Sequence, residues 1–129
     1  MVFKSNQELI NYLKERGVLK TENIIKAFLN IDRKDFIKEE YIDKAYFDIP
    51  LPTLMGQTIS QPYVVAFMLE LLKPQEGQKI LDIGFGSGWT TCLLAEIVEK
   101  NGKVYGIEII PDVFEFGKKN IEKYNFIEK

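Results

Sequence analysis

Asp82-Ile83-Gly84-Phe85-Gly86-Ser87-Gly88 is the stretch that decides the fold. It continues the run Lys79 to Ile83, a short strand by composition, and precedes an apolar run from about Trp89 to Val98 that reads as a helix. Glycines between a strand and a helix let the chain turn sharply and let a ligand approach the backbone. The helix start behind them offers unpaired amides and a partial positive charge, which suits an anion. Asn101-Gly102 reads as a turn, and Lys103 to Ile109 as a second strand rich in Val104, Tyr105, Ile107 and Ile109. Strand, helix and strand with a short return imply a parallel βαβ unit. Pro111 can start a last helix with Val113, Gly117, Ile121 and Tyr124 on one stripe.

Glu108 stands at the end of the second strand, 20 residues after Gly88. A carboxylate there can accept hydrogen bonds from both hydroxyls of an adenosine ribose. The bland alternative is a glycine-rich turn beside a solvated acid. The strand-to-helix setting and the acid at the next strand end speak against it. A dinucleotide fingerprint, G-x-G-x-x-G, would put its third glycine at position 89, which is Trp89; the glycine falls one residue earlier, at Gly88.

Upstream, the chain reads as helical and then irregular. Ser5 and Glu8 form a capping-box pattern ahead of Leu9, Ile10 and Leu13, and Gly17 is a stop. Thr21 can cap a second helix with Ile24, Ile25, Phe28 and Leu29 on one face. A short helix fits near Lys38 to Tyr46, after which Pro50 and Pro52 hold the backbone extended. Ser60 is a candidate N-cap for a helix starting near Pro62. Residues 63–72 are apolar on almost every side, so burial on more than one face is expected. This divides the chain into a helical segment with a loop, 1–60, and a ligand-binding βαβα segment, 61–129.

Composition narrows the chemistry. The chain has 129 residues, 46% hydrophobic and 28% charged, with a net charge of -2, and no apolar run approaches a membrane span. No basic surface for nucleic acid is indicated. The sequence has no histidine, so a histidine triad, a histidine-bound zinc and an imidazole base are excluded. Cys92 is the single cysteine, which rules out an intrachain disulfide and accords with a reducing, cytoplasmic compartment.

The pattern acid-x-G-x-G-x-G at Asp82 to Gly88 resembles motif I of class I S-adenosylmethionine-dependent methyltransferases. A second run is more specific. Pro50-Leu51-Pro52 followed by Gly56-Gln57-Thr58-Ile59-Ser60-Gln61-Pro62 resembles the protein-L-isoaspartate O-methyltransferase family, where P-L-P precedes G-Q-T-I-S-x-P. The resemblance covers roughly residues 18–125, including the Arg33 to Phe36 region. It implies an α/β fold: an N-terminal helical segment, then the first βαβα part of a Rossmann-like methyltransferase sheet. The activity implied is methyl transfer from S-adenosyl-L-methionine to the carboxylate of L-isoaspartyl residues in damaged proteins, with S-adenosyl-L-homocysteine as product. Ser60 is then the active-site hydroxyl, with Gln57, Thr58 and Ser60 on the acceptor side. Asp82, Gly84, Phe85, Gly86, Ser87, Gly88 and Glu108 form the cofactor side. Asp82 is expected to fix loop amides through its carboxylate.

Three departures from the family pattern stand out. Phe85 occupies a position usually small or hydroxylated, so its ring would crowd the cofactor or fill a pocket. Trp89 stands where tyrosine is frequent and is expected to pack. Cys92, which is not a departure, lies on an apolar helix and is expected to be a buried thiol. The third concerns extent, since family members continue past the region matched here, and this sequence corresponds to their N-terminal half to two-thirds. Only two parallel strands are found, and such a sheet leaves apolar faces and edges open. Self-association or a completing chain is therefore expected. The competing reading is a fragment without turnover that binds an adenosyl ligand weakly or serves as a partner-binding module.

Overall fold

The structure is a computed structural model and describes residues 2–126. Helix α1, Asn6–Glu15, forms half of its capping box: Ser5 Oγ accepts from the Glu8 amide at 3.1 Å, while Glu8 Oε2 accepts from the amide of Lys4, one residue before the N-cap, at 2.7 Å. Gly17 follows its end at φ +74°. Helix α2, Glu22–Asn30, has Thr21 at its N-cap, but that hydroxyl does not cap the helix. It donates to Glu70, whose carboxylate also accepts from the amides of Lys20 and Thr21 at 2.7 and 2.8 Å. Two 3-10 turns follow, Arg33–Phe36 and Glu39–Lys44.

Pro50 and Pro52 do more than hold the chain extended. Strand β1, Leu51–Pro52, pairs antiparallel with β2, Thr58–Ile59, and the connecting turn passes through Met55 and Gly56 at φ +55° and +74°. This hairpin presents the G-Q-T-I-S run. Helix α3, Pro62–Leu72, starts with Gln61 as N-cap rather than Ser60, and Gln61 makes no side-chain cap. The carboxylate of Asp48 takes that role from a distance, accepting from the Tyr63 amide at 2.8 Å. The expected burial of α3 on more than one face is also corrected. Val65, Ala66 and Leu69 are buried, whereas Val64, Phe67, Met68, Leu71 and Leu72 are exposed.

Strand β3, Lys79–Ile83, helix α4, Trp89–Val98, strand β4, Lys103–Ile107, and helix α5, Pro111–Glu122, complete the βαβα segment. The strands are parallel, from Lys79↔Lys103 to Ile83↔Ile107. Strand β4 ends two residues earlier than the composition suggests, because Glu108 turns back to the loop after β3 and Ile109 is 92% exposed. Alternation along the strands turns Ile80 and Val104 toward the core and Leu81, Ile83, Tyr105 and Ile107 toward an uncovered face. One core runs through both halves, since α2 packs on α1 and on α4, with Phe28 edge-on to Trp89 at 5.6 Å. Helix α5 is tied back by Tyr124, whose hydroxyl donates to Asp35 and accepts from the Asp32 amide.

Candidate functional site

The loop between β3 and α4 is held from the β4 side. Ile107 O accepts from the amides of Gly84 and Phe85 at 2.7 and 3.1 Å, and Glu108 Oε1 accepts from the Gly86 amide at 3.0 Å. Glu108 Oε2 accepts from the Ile110 amide at 3.2 Å. Each carboxylate oxygen keeps acceptor capacity beyond these bonds. The acid is half-buried and fixed by backbone, so an added donor would meet an oriented carboxylate. Asp82 does something other than expected. Its Oδ2 accepts from Thr91 Oγ1 at 2.6 Å, which ties the strand end to the first turn of α4, while Glu108 takes the loop amide.

The three glycines divide the labour. Gly84 and Gly86 have φ +76° and +55°, and a Cβ at Gly84 would meet open space. Gly88, at φ +89°, is pressed between helices: a Cβ there would lie 2.6 Å from Ile121 Cγ1 and 3.0 Å from Gly117 O. Phe85 turns its ring away from the loop into a slot formed by Gly106, Gly117 and Phe114, with the Phe114 ring 5.4 Å away. Its ring is packing material for α5 on β4. Ser87 is buried, and its carbonyl accepts from Asn120 Nδ2 at 3.0 Å.

A cavity of about 450 Å³ opens beside this loop. Asp82, Gly84, Phe85, Gly86 and Ser87 line one side, and Thr58, Ile59 and Ser60 line the other. The hairpin and the glycine loop, separated in sequence by more than twenty residues, thus share one space. Ser60 and Thr58 are exposed there. Gln57 is exposed in the hairpin turn, outside the residues lining the cavity. Glu108 also stands outside that lining and reaches the loop through Gly86.

An adenosyl ligand with an amino-acid end suits what is present. Gly84 gives room without a side chain, two left-handed glycines expose backbone, and an oriented acid closes the loop. The donor set is oxygen and backbone nitrogen, which suits hydroxyl, amino and carboxylate groups.

Sequence reasoning missed the contribution of Arg33. Its side chain is 0% exposed. Nη1 donates to the carbonyls of Ala45 and Phe47 at 2.9 and 3.1 Å, and Nη2 to those of Ile49 and Ser60 at 2.8 and 3.1 Å. The guanidinium carbon lies 5.3 Å from the centre of the Trp89 ring. Burial pulls its pKa down to about 10 against the raising influence of Asp48, so it remains a cation at neutral pH. The available signal was scarcity: only Arg16 and Arg33 are arginines among seventeen basic residues. Trp89 and Cys92 are buried as expected, and burial pushes the thiol up to about 12.

Comparison with known proteins identifies the family. The sequence profile of the family described as Protein-L-isoaspartate(D-aspartate) O-methyltransferase matches residues 4–128. A protein-L-isoaspartate O-methyltransferase of Staphylothermus marinus is 42% identical over 127 residues, which is 95% of this chain and 56% of the relative. One of Thermococcus onnurineus is 43% identical over 120 residues, 93% of this chain and 54% of the relative. Among solved structures, a Plasmodium falciparum chain assigned as a protein-L-isoaspartate O-methyltransferase, in complex with S-adenosyl-L-homocysteine, superposes with a TM-score of 0.84. It is 31% identical, with 94% of this chain and 56% of that one covered. The chain spans about half the length of the curated relatives it matches.

Proposed function

This chain belongs to the protein-L-isoaspartate(D-aspartate) O-methyltransferase family, and from that premise we propose that it serves methyl transfer from S-adenosyl-L-methionine to the side-chain carboxylate of L-isoaspartyl residues in damaged proteins. The observation that carries the reading is the shared cavity, lined by Ser60 and Thr58 on one side and by the Gly84 to Ser87 loop on the other. In this reading residues 1–60 form the acceptor side and residues 61–129 the cofactor side.

When bound, S-adenosyl-L-methionine supplies a methyl group on a positively charged sulfur. Asp82, Gly84, Phe85, Gly86, Ser87, Gly88 and Glu108 would hold it, Phe85 through its backbone, Asp82 by tying the strand end to α4 through Thr91, and Gly88 by setting the close approach of α4 to α5. Glu108 orients the loop through the Gly86 amide and would accept from the ribose hydroxyls. The acceptor carboxylate is ionised at neutral pH, so no general base is needed and the lack of histidine is no obstacle. Ser60 donates a hydrogen bond that orients this carboxylate, and Thr58 and Gln57 shape its surroundings. The chain's own contribution is placement of nucleophile and methyl in line. A cytoplasmic setting accords with the buried thiol of Cys92.

The test is transfer of tritiated methyl to an isoaspartyl peptide beside its normal aspartyl form, with calorimetric titration of S-adenosyl-L-homocysteine. Label on the isoaspartyl peptide alone supports the reading. Label on both forms would move the acceptor to carboxylates in general. A second reading draws on the uncovered apolar face of Leu81, Ile83, Tyr105 and Ile107: the chain binds the adenosyl ligand without turnover and associates with a copy of itself or a completing chain. Ligand binding without label transfer would favour it.

A further inference from the structure

We infer that Arg33 is the positioning residue that sets Ser60 against the glycine loop, an inference that rests on the reading of Ser60 and the loop given above. Both ends of the β1–β2 hairpin meet at one nitrogen. Nη2 donates to Ile49 O, just before the hairpin, and to Ser60 O, just after it. The other nitrogen gathers Ala45 O and Phe47 O from the approach to the hairpin. Four carbonyls from two stretches of chain thus converge on one rigid fork, while the Ser60 side chain stays exposed at the cavity.

The third contact gives the fork its direction. Its guanidinium lies against Trp89, the first residue of α4 and the neighbour of Gly88. Gly88 itself has no slack against α5. One side chain therefore measures the gap between the acceptor hairpin and the loop that faces it. A buried cation is expensive to desolvate, and an apolar side chain would fill the same volume without that cost. What an apolar residue cannot do is hold backbone oxygens on both sides of a hairpin. Lysine keeps the charge but lacks the planar fork that fixes several acceptors at set angles.

Arg33→Lys tests this by hydrogen exchange and kinetics together. Amides of the 51–59 hairpin are expected to exchange about tenfold faster or more, while the slowest amides of α4 keep their parental rates. Acceleration of hairpin and α4 together would mean that Arg33 is general core support, and unchanged hairpin exchange would mean it positions nothing; either overturns the inference. In methyl transfer, the variant is expected to lose about 100-fold in kcat, the scale of a small misplacement, with affinity for S-adenosyl-L-homocysteine held within about twofold. Equal loss of both would also overturn it.

Should Arg33→Lys fail to fold, the parent chain decides by NMR. Separately resolved Arg33 Nη protons, with couplings through hydrogen bonds to the carbonyl carbons of residues 45, 47, 49 and 60, are expected. A single averaged guanidinium signal would refute the clamp. If the parent transfers no methyl, the proposed activity of this chain fails, while exchange and coupling data still judge Arg33.

Discussion

The helical region and the two-stranded sheet treat their apolar residues in opposite ways. In α1 and α2, Leu9, Ile10, Leu13, Ile24, Ala27 and Phe28 are almost wholly buried. In β3 and β4, Leu81, Ile83, Tyr105 and Ile107 remain about half exposed or more, on a face opposite α4. Both regions are comparably apolar, so composition does not separate them. What separates them is partners: among the described residues the helices close on one another and on α4, whereas the sheet is covered on one side. Stability should therefore concentrate in the helical region and its contact with α4, and the glycine loop is a tenant of that core.

The largest test of this contrast is Phe28→Ala, which empties the contact between α2 and Trp89. A loss of about 3–5 kcal/mol is expected, read by denaturant unfolding. Gly88→Ala should follow, because a Cβ there collides with Ile121 and the left-handed backbone disfavours it; about 2–4 kcal/mol is expected. Gly84→Ala meets open space and should lose only the backbone part, about 1–2 kcal/mol, so equal losses would break the division drawn between the two glycines. Glu108→Ala should weaken S-adenosyl-L-homocysteine binding by about 1.5–3 kcal/mol in calorimetry if it accepts from both hydroxyls. An unchanged affinity would remove Glu108 from the site.

Smaller effects sharpen the comparison. Burial pushes the Glu70 carboxyl up, but bonds from Thr21 and Lys20 outweigh it and hold the pKa below the ordinary value. Its stabilising contribution is therefore fully present above the unfolded pKa and is lost as pH falls through the lower folded value. Glu70→Gln should cost under about 1 kcal/mol at neutral pH, and its deficit should vanish in acid. Smallest of all, Ile83→Ser on the open face should stay within about 0.5 kcal/mol of the parent. A loss as large as that at Phe28 would mean the sheet face is covered in solution.

Local signals were legible in the sequence. The Ser5 cap of α1, the limits of β3 and α4, and the proline start of α5 all follow from short-range chemistry. The glycine loop and Glu108 come together as their spacing suggests, through the Gly86 amide. What could not be read depends on residues far apart in the chain. Asp48 caps α3 across fifteen positions, Glu70 reaches back to Thr21, and Arg33 gathers carbonyls up to Ser60. No periodicity encodes such partners. The one-sided burial of α3 fails for a related reason: an all-apolar helix reports what it could bury, and only its neighbours decide what it does bury.

Trp89 is the single tryptophan of the chain, and it sits where the two regions meet. Its indole touches the Phe28 ring and the Arg33 guanidinium, one residue beyond Gly88. The molecule thus carries its own optical gauge. One emission band reports melting of the helical core, because that exposes the indole to water. Under the proposed reading, the same band would also report a ligand bound at the glycine turn, because that would shift charge beside it.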